Sequence, residues 1–111
     1  MKTLMAHIAA WLFRKMQGAE LYLTLRALRA KGQRIASTAT FGPRVQLRIH
    51  PESTLEIGEG VRVLQDSWLI SHPGNTLVLG ERVFISQHCT VSGSVRIGDD
   101  TLIGGYVTII D

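Results

Sequence analysis

An apolar residue recurs at every sixth position through the last third of this chain. Leu79, Ile85, Val91, Ile97, Ile103 and Ile109 keep the spacing without a slip. Traced backward, the series takes in Leu69, Val63, Ile57, Leu47 and Phe41. Longer copies carry the same rhythm. LEIGEGVRV (Leu55 to Val63) returns as LVLGERVFI (Leu77 to Ile85) and as VRIGDDTLI (Val95 to Ile103), with a weaker copy, ATFGPRVQL, from Ala39 to Leu47. A helix needs apolar residues three and four apart and does not take Gly so regularly. Strict two-residue alternation with hairpin turns is equally absent.

Two other positions of the hexad are restricted. Four residues after each leading apolar position stand Val45, Val61, Ser67, Val83, Cys89, Val95, Thr101 and Val107, small or β-branched residues that suit a cramped inward corner. Directly after a leader come Gly42, Gly58, Gly80, Gly98 and Gly104, as expected where a chain turns without a Cβ clash. This is the pattern of a parallel β-helix. Three hexads make a triangular coil of about eighteen residues, with coils stacked at about 4.8 Å. The copies at Leu77 and Val95 are one such coil apart, whereas those at Leu55 and Leu77 are separated by four residues more. The surplus has a home, because Ile49-His50-Pro51-Glu52-Ser53 and Ser71-His72-Pro73-Gly74-Asn75 are offset by the same distance. Two small loops are therefore expected to stack at one corner.

A length of 111 residues allows one globular unit, and a single cysteine excludes a disulfide framework. Its hexad position makes Cys89 a core filler. No zinc spacing and no phosphate-binding glycine loop exist, so no metal site is expected. No apolar run is long enough to span a membrane.

Charge is unevenly placed. Residues 1–34 hold seven lysines and arginines against Glu20 alone, while the remainder has five arginines against eight acids. The first segment is helical by pattern, with Leu4, Ile8, Trp11 and Leu12 on one face and Leu21, Leu25 and Leu28 forming a second run; Gly32 is a natural stop. A signal peptide is excluded because His7, Arg14 and Lys15 break the apolar run. Two roles are open to this segment, and they are compatible because residues 1–17 and 19–31 could divide the work. It covers the open end of the first coil, since solenoids need a cap, or it rests as a basic amphipathic helix on an anionic membrane. The division expected is a helical segment over 1–34 and an all-β solenoid over 35–111. Nucleic acid is not expected as a partner.

The tandem hexads from Phe41 onward (an aliphatic residue, Gly, two variable positions, a small residue) resemble those of the hexapeptide-repeat acyltransferases. The resemblance covers residues 35–111 and implies a left-handed parallel β-helix that assembles as a homotrimer; the handedness comes from the resemblance alone. The nearest likeness is to the O-acetyltransferases that modify sugars and polysaccharides. In them a helical segment precedes the coils, and a stretch like IGDDTLIGGYVTIID leads into a loop of the form Asp-His-x-His. That histidine acts as general base on an acceptor hydroxyl, which attacks the thioester of acetyl-CoA. The resemblance thus implies acetyl-CoA as co-substrate, a sugar or polysaccharide acceptor, and a cytoplasmic protein, with peripheral contact at the inner membrane surface as the variant that residues 1–34 would support.

The catalytic histidine of that pattern would fall after Asp111, and much of the CoA groove with it, so these 111 residues alone are expected to transfer no acetyl group. The histidines present are His7 in the helical segment, His50 and His72 in the corner loops before Pro, and His88 in ISQHCTV. In the sugar-acetylating relatives a polar residue, often Asn, lines the acceptor pocket at the place matching His88, so the resemblance makes His88, with Asp111, a candidate for lining that pocket, against a plain exposed strand position for His88. Nothing near His88 in sequence identifies a partner that would orient it, and no residue is marked for CoA. The alternatives are an inactive scaffold or oligomerisation partner, and a structural module of the antifreeze or adhesion type. The outward Glu59, Arg62, Glu81, Arg82, Arg96 and Asp99 disfavour the last, because a flat threonine ladder is missing.

Overall fold

The computed structural model describes residues 2–111, without the side chains of Lys2 and residues 13–18. One helix, α1 (Lys2–Ala30), precedes three parallel sheets of four short strands each. Numbered in chain order, the first sheet holds β1 (Arg34–Ile35), β4 (Thr54–Ile57), β7 (Thr76–Leu79) and β10 (Val95–Ile97). The second holds β2 (Thr40–Phe41), β5 (Arg62–Val63), β8 (Phe84–Ile85) and β11 (Leu102–Ile103). The third holds β3 (Gln46–Ile49), β6 (Trp68–Ser71), β9 (Thr90–Ser92) and β12 (Thr108–Ile110). Each strand pairs in parallel with its counterpart one coil away, so the chain winds through four coils of a parallel β-solenoid.

The hexad leaders point inward. Ile57, Val63, Leu69, Leu79, Ile85, Val91, Ile97 and Ile103 are buried, and Phe41, Leu47 and Ile109 pack half-buried against them in the first and last coils. Full burial of such a side chain contributes about 1.5–3 kcal/mol. Ile35 belongs to the series as well. It lies six residues before Phe41, is buried, and pairs with Ile57, so the first coil starts at Arg34. At the corners Val45, Val61, Ser67, Val83, Cys89 and Val95 are buried, while Thr101 and Val107 of the last coil are partly covered. Cys89 is a core residue, 1% exposed.

The two His-Pro loops stack as expected. Ile49 pairs with Ser71, the Gly74 amide donates to the Glu52 carbonyl at 3.0 Å, and the buried hydroxyls of Ser53 and Ser71 meet at 2.6 Å. The surplus residues lie between the third sheet and the first, so the coils stay in register on all three faces.

The glycines after the leaders require a correction. None of Gly42, Gly58, Gly80, Gly98 or Gly104 has a positive φ. The tight turn falls two residues later, where Arg44, Gly60, Asp66, Arg82, His88, Asp100 and Tyr106 all take left-handed backbone. The reason for Gly is instead the close approach of coils. A Cβ on Gly42 would lie 2.8 Å from the Gln65 amide nitrogen, and one on Gly58 would lie 2.9 Å from that of Glu81. Gly98 and Gly104, in the last coil, have nothing within 4 Å.

The two apolar runs of the helix lie in different surroundings. Leu25 and Leu28 pack on the core at the first coil, and Leu21 is half-buried beside them. Every residue from Thr3 to Leu12 is exposed, so Leu4, Ile8, Trp11 and Leu12 do not cover the coil. Twenty-nine helical residues span about 43 Å, and only the last third of them, at Leu25 and Leu28, packs on the core. The helix ends in a Schellman turn, with Gly32 at φ 90°, its amide bonded to the Arg29 carbonyl and that of Gln33 to Leu28. The turn then ties α1 to the solenoid. Arg29 Nε donates to the Ile35 carbonyl, while the Gln33 amide group donates to Ser53 O and accepts from Leu55 N, both at 2.8 Å.

Candidate functional site

The left-handed turn positions recur at coil spacing, so their side chains stand in columns along the solenoid corners. Between the second and third sheets the column reads Arg44, Asp66, His88, Tyr106. Left-handed backbone costs an ordinary residue roughly 1–2 kcal/mol. Here each strained amide finds a fixed acceptor one coil below: Asp66 N bonds to Pro43 O, His88 N to Gln65 O, and Tyr106 N to Gln87 O, at 3.0–3.1 Å. The ladder thus holds the backbone at each corner and aims its side chains outward.

Arg44 grips Asp66 with two nitrogens, Nε to Oδ1 at 2.6 Å and Nη2 to Oδ2 at 3.0 Å. The hydrogen bonds from Arg44 hold the Asp66 carboxyl below the usual carboxylate range; partial burial opposes this, and the charges of Arg44 and His88 reinforce it. His88 Nε2 lies 3.7 Å from Asp66 Oδ2. On its other side the imidazole stacks on Tyr106, with centroids 4.9 Å apart. His88 is therefore a turn residue rather than a strand residue, exposed and with an oriented ring. The carboxylate beside it is Asp66, one coil away and beyond hydrogen-bond reach, which no local stretch of sequence could reveal. Its ring is therefore held by the stack on Tyr106, and it is exposed where a hydroxyl could approach. Arg44 limits the carboxylate's help, because it already neutralises much of that charge.

Asp111 lies elsewhere. Its amide donates to the Ser92 carbonyl at 3.0 Å, and its Oδ2 accepts from Ser94 N at 3.3 Å. This places it over the corner between the third and first sheets, in line with the two His-Pro loops. His88 precedes β9 and Asp111 stands beyond it, so the two candidates occupy opposite ends of one sheet, about 15 Å apart at strand rise. The structure does not bring them together.

The other histidines serve their turns. His50 Nδ1 accepts from the Glu52 amide at 3.0 Å, and the His72 amide donates to Asn75 Oδ1 at 2.8 Å. His7 is exposed on α1. The remaining corner carries Thr38, Gly60, Arg82 and Asp100. Arg82 binds Asp100 through Nε at 2.6 Å and Nη2 at 3.1 Å, and also reaches Glu81. Those hydrogen bonds raise the Arg82 pKa and lower that of Asp100. Among the described residues no group of three His, Cys, Asp or Glu could hold a metal ion.

A cleft of about 360 Å³ opens between α1 and the first coil, floored by Phe41 and Leu47 and rimmed by Glu20, Thr24 and Arg44. Arg44 thus belongs to both the cleft and the corner column. Comparison of the chain with protein-family models, curated proteins and solved structures finds no match.

Proposed function

We propose that the chain is the coil domain of an acetyl-CoA-dependent O-acetyltransferase acting on a sugar or polysaccharide hydroxyl, assembled as a homotrimer. The supporting observation is the four-coil parallel solenoid built on a period of six that only the two stacked His-Pro loops interrupt, the scaffold this reading needs. The hydroxyl is a weak nucleophile until a positioned base takes its proton. His88, stacked on Tyr106 and 3.7 Å from the Asp66 carboxylate, is the histidine among the described residues best arranged to do so. The oxygen then attacks the thioester carbonyl, the C–S bond breaks, and the CoA thiolate leaves with the proton.

A second reading is an inactive scaffold that associates with other subunits. It is favoured by Leu102, Tyr106 and Ile110, which stand more than 70% exposed on the last coil. One assay separates the two. The protein as its gene encodes it is incubated with acetyl-CoA and a panel of sugar and polysaccharide acceptors, and thiol release is followed. Acceptor-dependent turnover that falls about 10²–10⁴-fold in His88→Ala matches a lost general base. Turnover indifferent to His88→Ala moves the base elsewhere, and no turnover with any acceptor leaves the scaffold.

A further inference from the structure

The first third of α1 carries an exposed apolar surface. Leu4, Met5, Ile8, Trp11 and Leu12 are 47–69% exposed. At 3.6 residues per turn these five fall within an arc of about 120°. Tyr22 and Leu23, also exposed, continue the arc toward the coil, while Leu21, Leu25 and Leu28 face away from it and hold the helix in place. The helix therefore has two apolar faces, one seated on the first coil and one directed outward.

Charge identifies what the outward face meets. The helix carries five basic residues, Lys2, Arg14, Lys15, Arg26 and Arg29, against Glu20, whereas the coils from Arg34 onward are net acidic. A protein partner would have to match both an apolar stripe and an excess of cations over one helix. A bilayer with anionic headgroups matches both without specific contacts, since apolar side chains enter the acyl boundary while lysine and arginine remain at the phosphates. No helix among the described residues is long and apolar enough to cross a membrane, so α1 would lie in the plane of the interface. We propose that α1 docks the solenoid on an anionic lipid surface through the stripe Leu4, Met5, Ile8, Trp11 and Leu12. This inference does not depend on acetyl transfer; it concerns where the solenoid is held.

The test pellets the whole chain with vesicles of phosphatidylcholine, alone or mixed with phosphatidylserine. The chain should sediment with the mixed vesicles and be released by salt, which shortens the screening length from about 10 Å at 0.1 M to about 3 Å at 1 M. Ile8→Asp combined with Leu12→Asp, or Arg14→Glu combined with Lys15→Glu, should each weaken vesicle binding at least about tenfold. Thermal unfolding checks that these variants keep the solenoid. Trp emission should shift to the blue on vesicle addition in Trp68→Phe but not in Trp11→Phe. Failure to sediment with the mixed vesicles overturns the proposal. So does unchanged sedimentation of the Ile8→Asp, Leu12→Asp variant. A stripe variant that alters only concentration-dependent self-association would also overturn it, assigning the stripe to a second copy of the chain.

Discussion

The imidazole of His88 lies nearly flat on the ring of Tyr106, one coil along the solenoid, with planes 4° from parallel. Both residues have left-handed backbone, at φ 55° and 61°, and both amides are fixed by the coil beneath. The stack is thus a product of the coil repeat. Offset aromatic pairs contribute about 0.5–1.5 kcal/mol, and this one is exposed, so the lower end applies. A double-mutant cycle of His88→Ala and Tyr106→Ala should show favourable coupling of about 0.5 kcal/mol; no coupling would mean that the rings meet without attraction. His88→Gly should be more stable than His88→Ala by about 1 kcal/mol, because Gly takes the left-handed turn without a Cβ clash.

Acid should weaken the same column from its other end. The Asp66 pKa is depressed in the folded chain relative to its ordinary value of 3.8, chiefly by hydrogen bonds from Arg44. A depressed carboxyl contributes stability above its unfolded pKa and loses it as pH falls through the folded one. The melting temperature should therefore drop as pH falls from about 5 toward 2. Asp66→Asn should flatten part of that slope while lowering stability at neutral pH. Asp100, depressed by Arg82, contributes another part in the same window. An unchanged slope in Asp66→Asn would show that the Arg44 pair does not survive in solution.

Two glycines at equivalent positions should respond in opposite senses. A Cβ on Gly80 would lie 2.8 Å from the Asp99 amide nitrogen, whereas one on Gly98 would meet nothing within 4 Å. Gly80→Ala must separate two coils and should cost about 1–3 kcal/mol. Gly98→Ala should be neutral or stabilising by up to about 1 kcal/mol, since it restricts the unfolded chain. Denaturant midpoints of the two variants check this directly. Equal losses at both would overturn coil approach as the reason for Gly at these positions.

Core burial sets the largest effects. Leu69 is wholly buried between Leu47 and Val91, so Leu69→Ala should cost about 2–5 kcal/mol. Ile97→Asp would place an unpaired charge beside Leu79 and should cost several kcal/mol, enough to unfold much of a solenoid this small. Urea unfolding of the two variants would contradict the assignment of the core if either matched the unsubstituted chain.

Much of the fold was legible in the period of six. Alternation within a short strand forces each leader inward, and the surplus residues around His50 and His72 could stack only at one corner. That much follows from sequence, because a repeat places identical environments on top of one another. The glycines were legible as a constraint but not as a cause. Whether Gly42 and Gly58 are needed for φ or for space depends on how closely the neighbouring coil passes, and that distance is a tertiary quantity. The site was less accessible still. His88 gains its carboxylate from Asp66 and its ring contact from Tyr106, residues far away along the chain and brought into contact only by stacking. The helix shows the same division. Its pattern marked Leu4, Ile8, Trp11 and Leu12 as one face, but only the reach of α1 past the coil decided that this face stays exposed. Sequence determined what repeats and which way each side chain alternates. The tertiary structure decided which side chains meet, because contacts between coils depend on corner geometry and on how far each element extends.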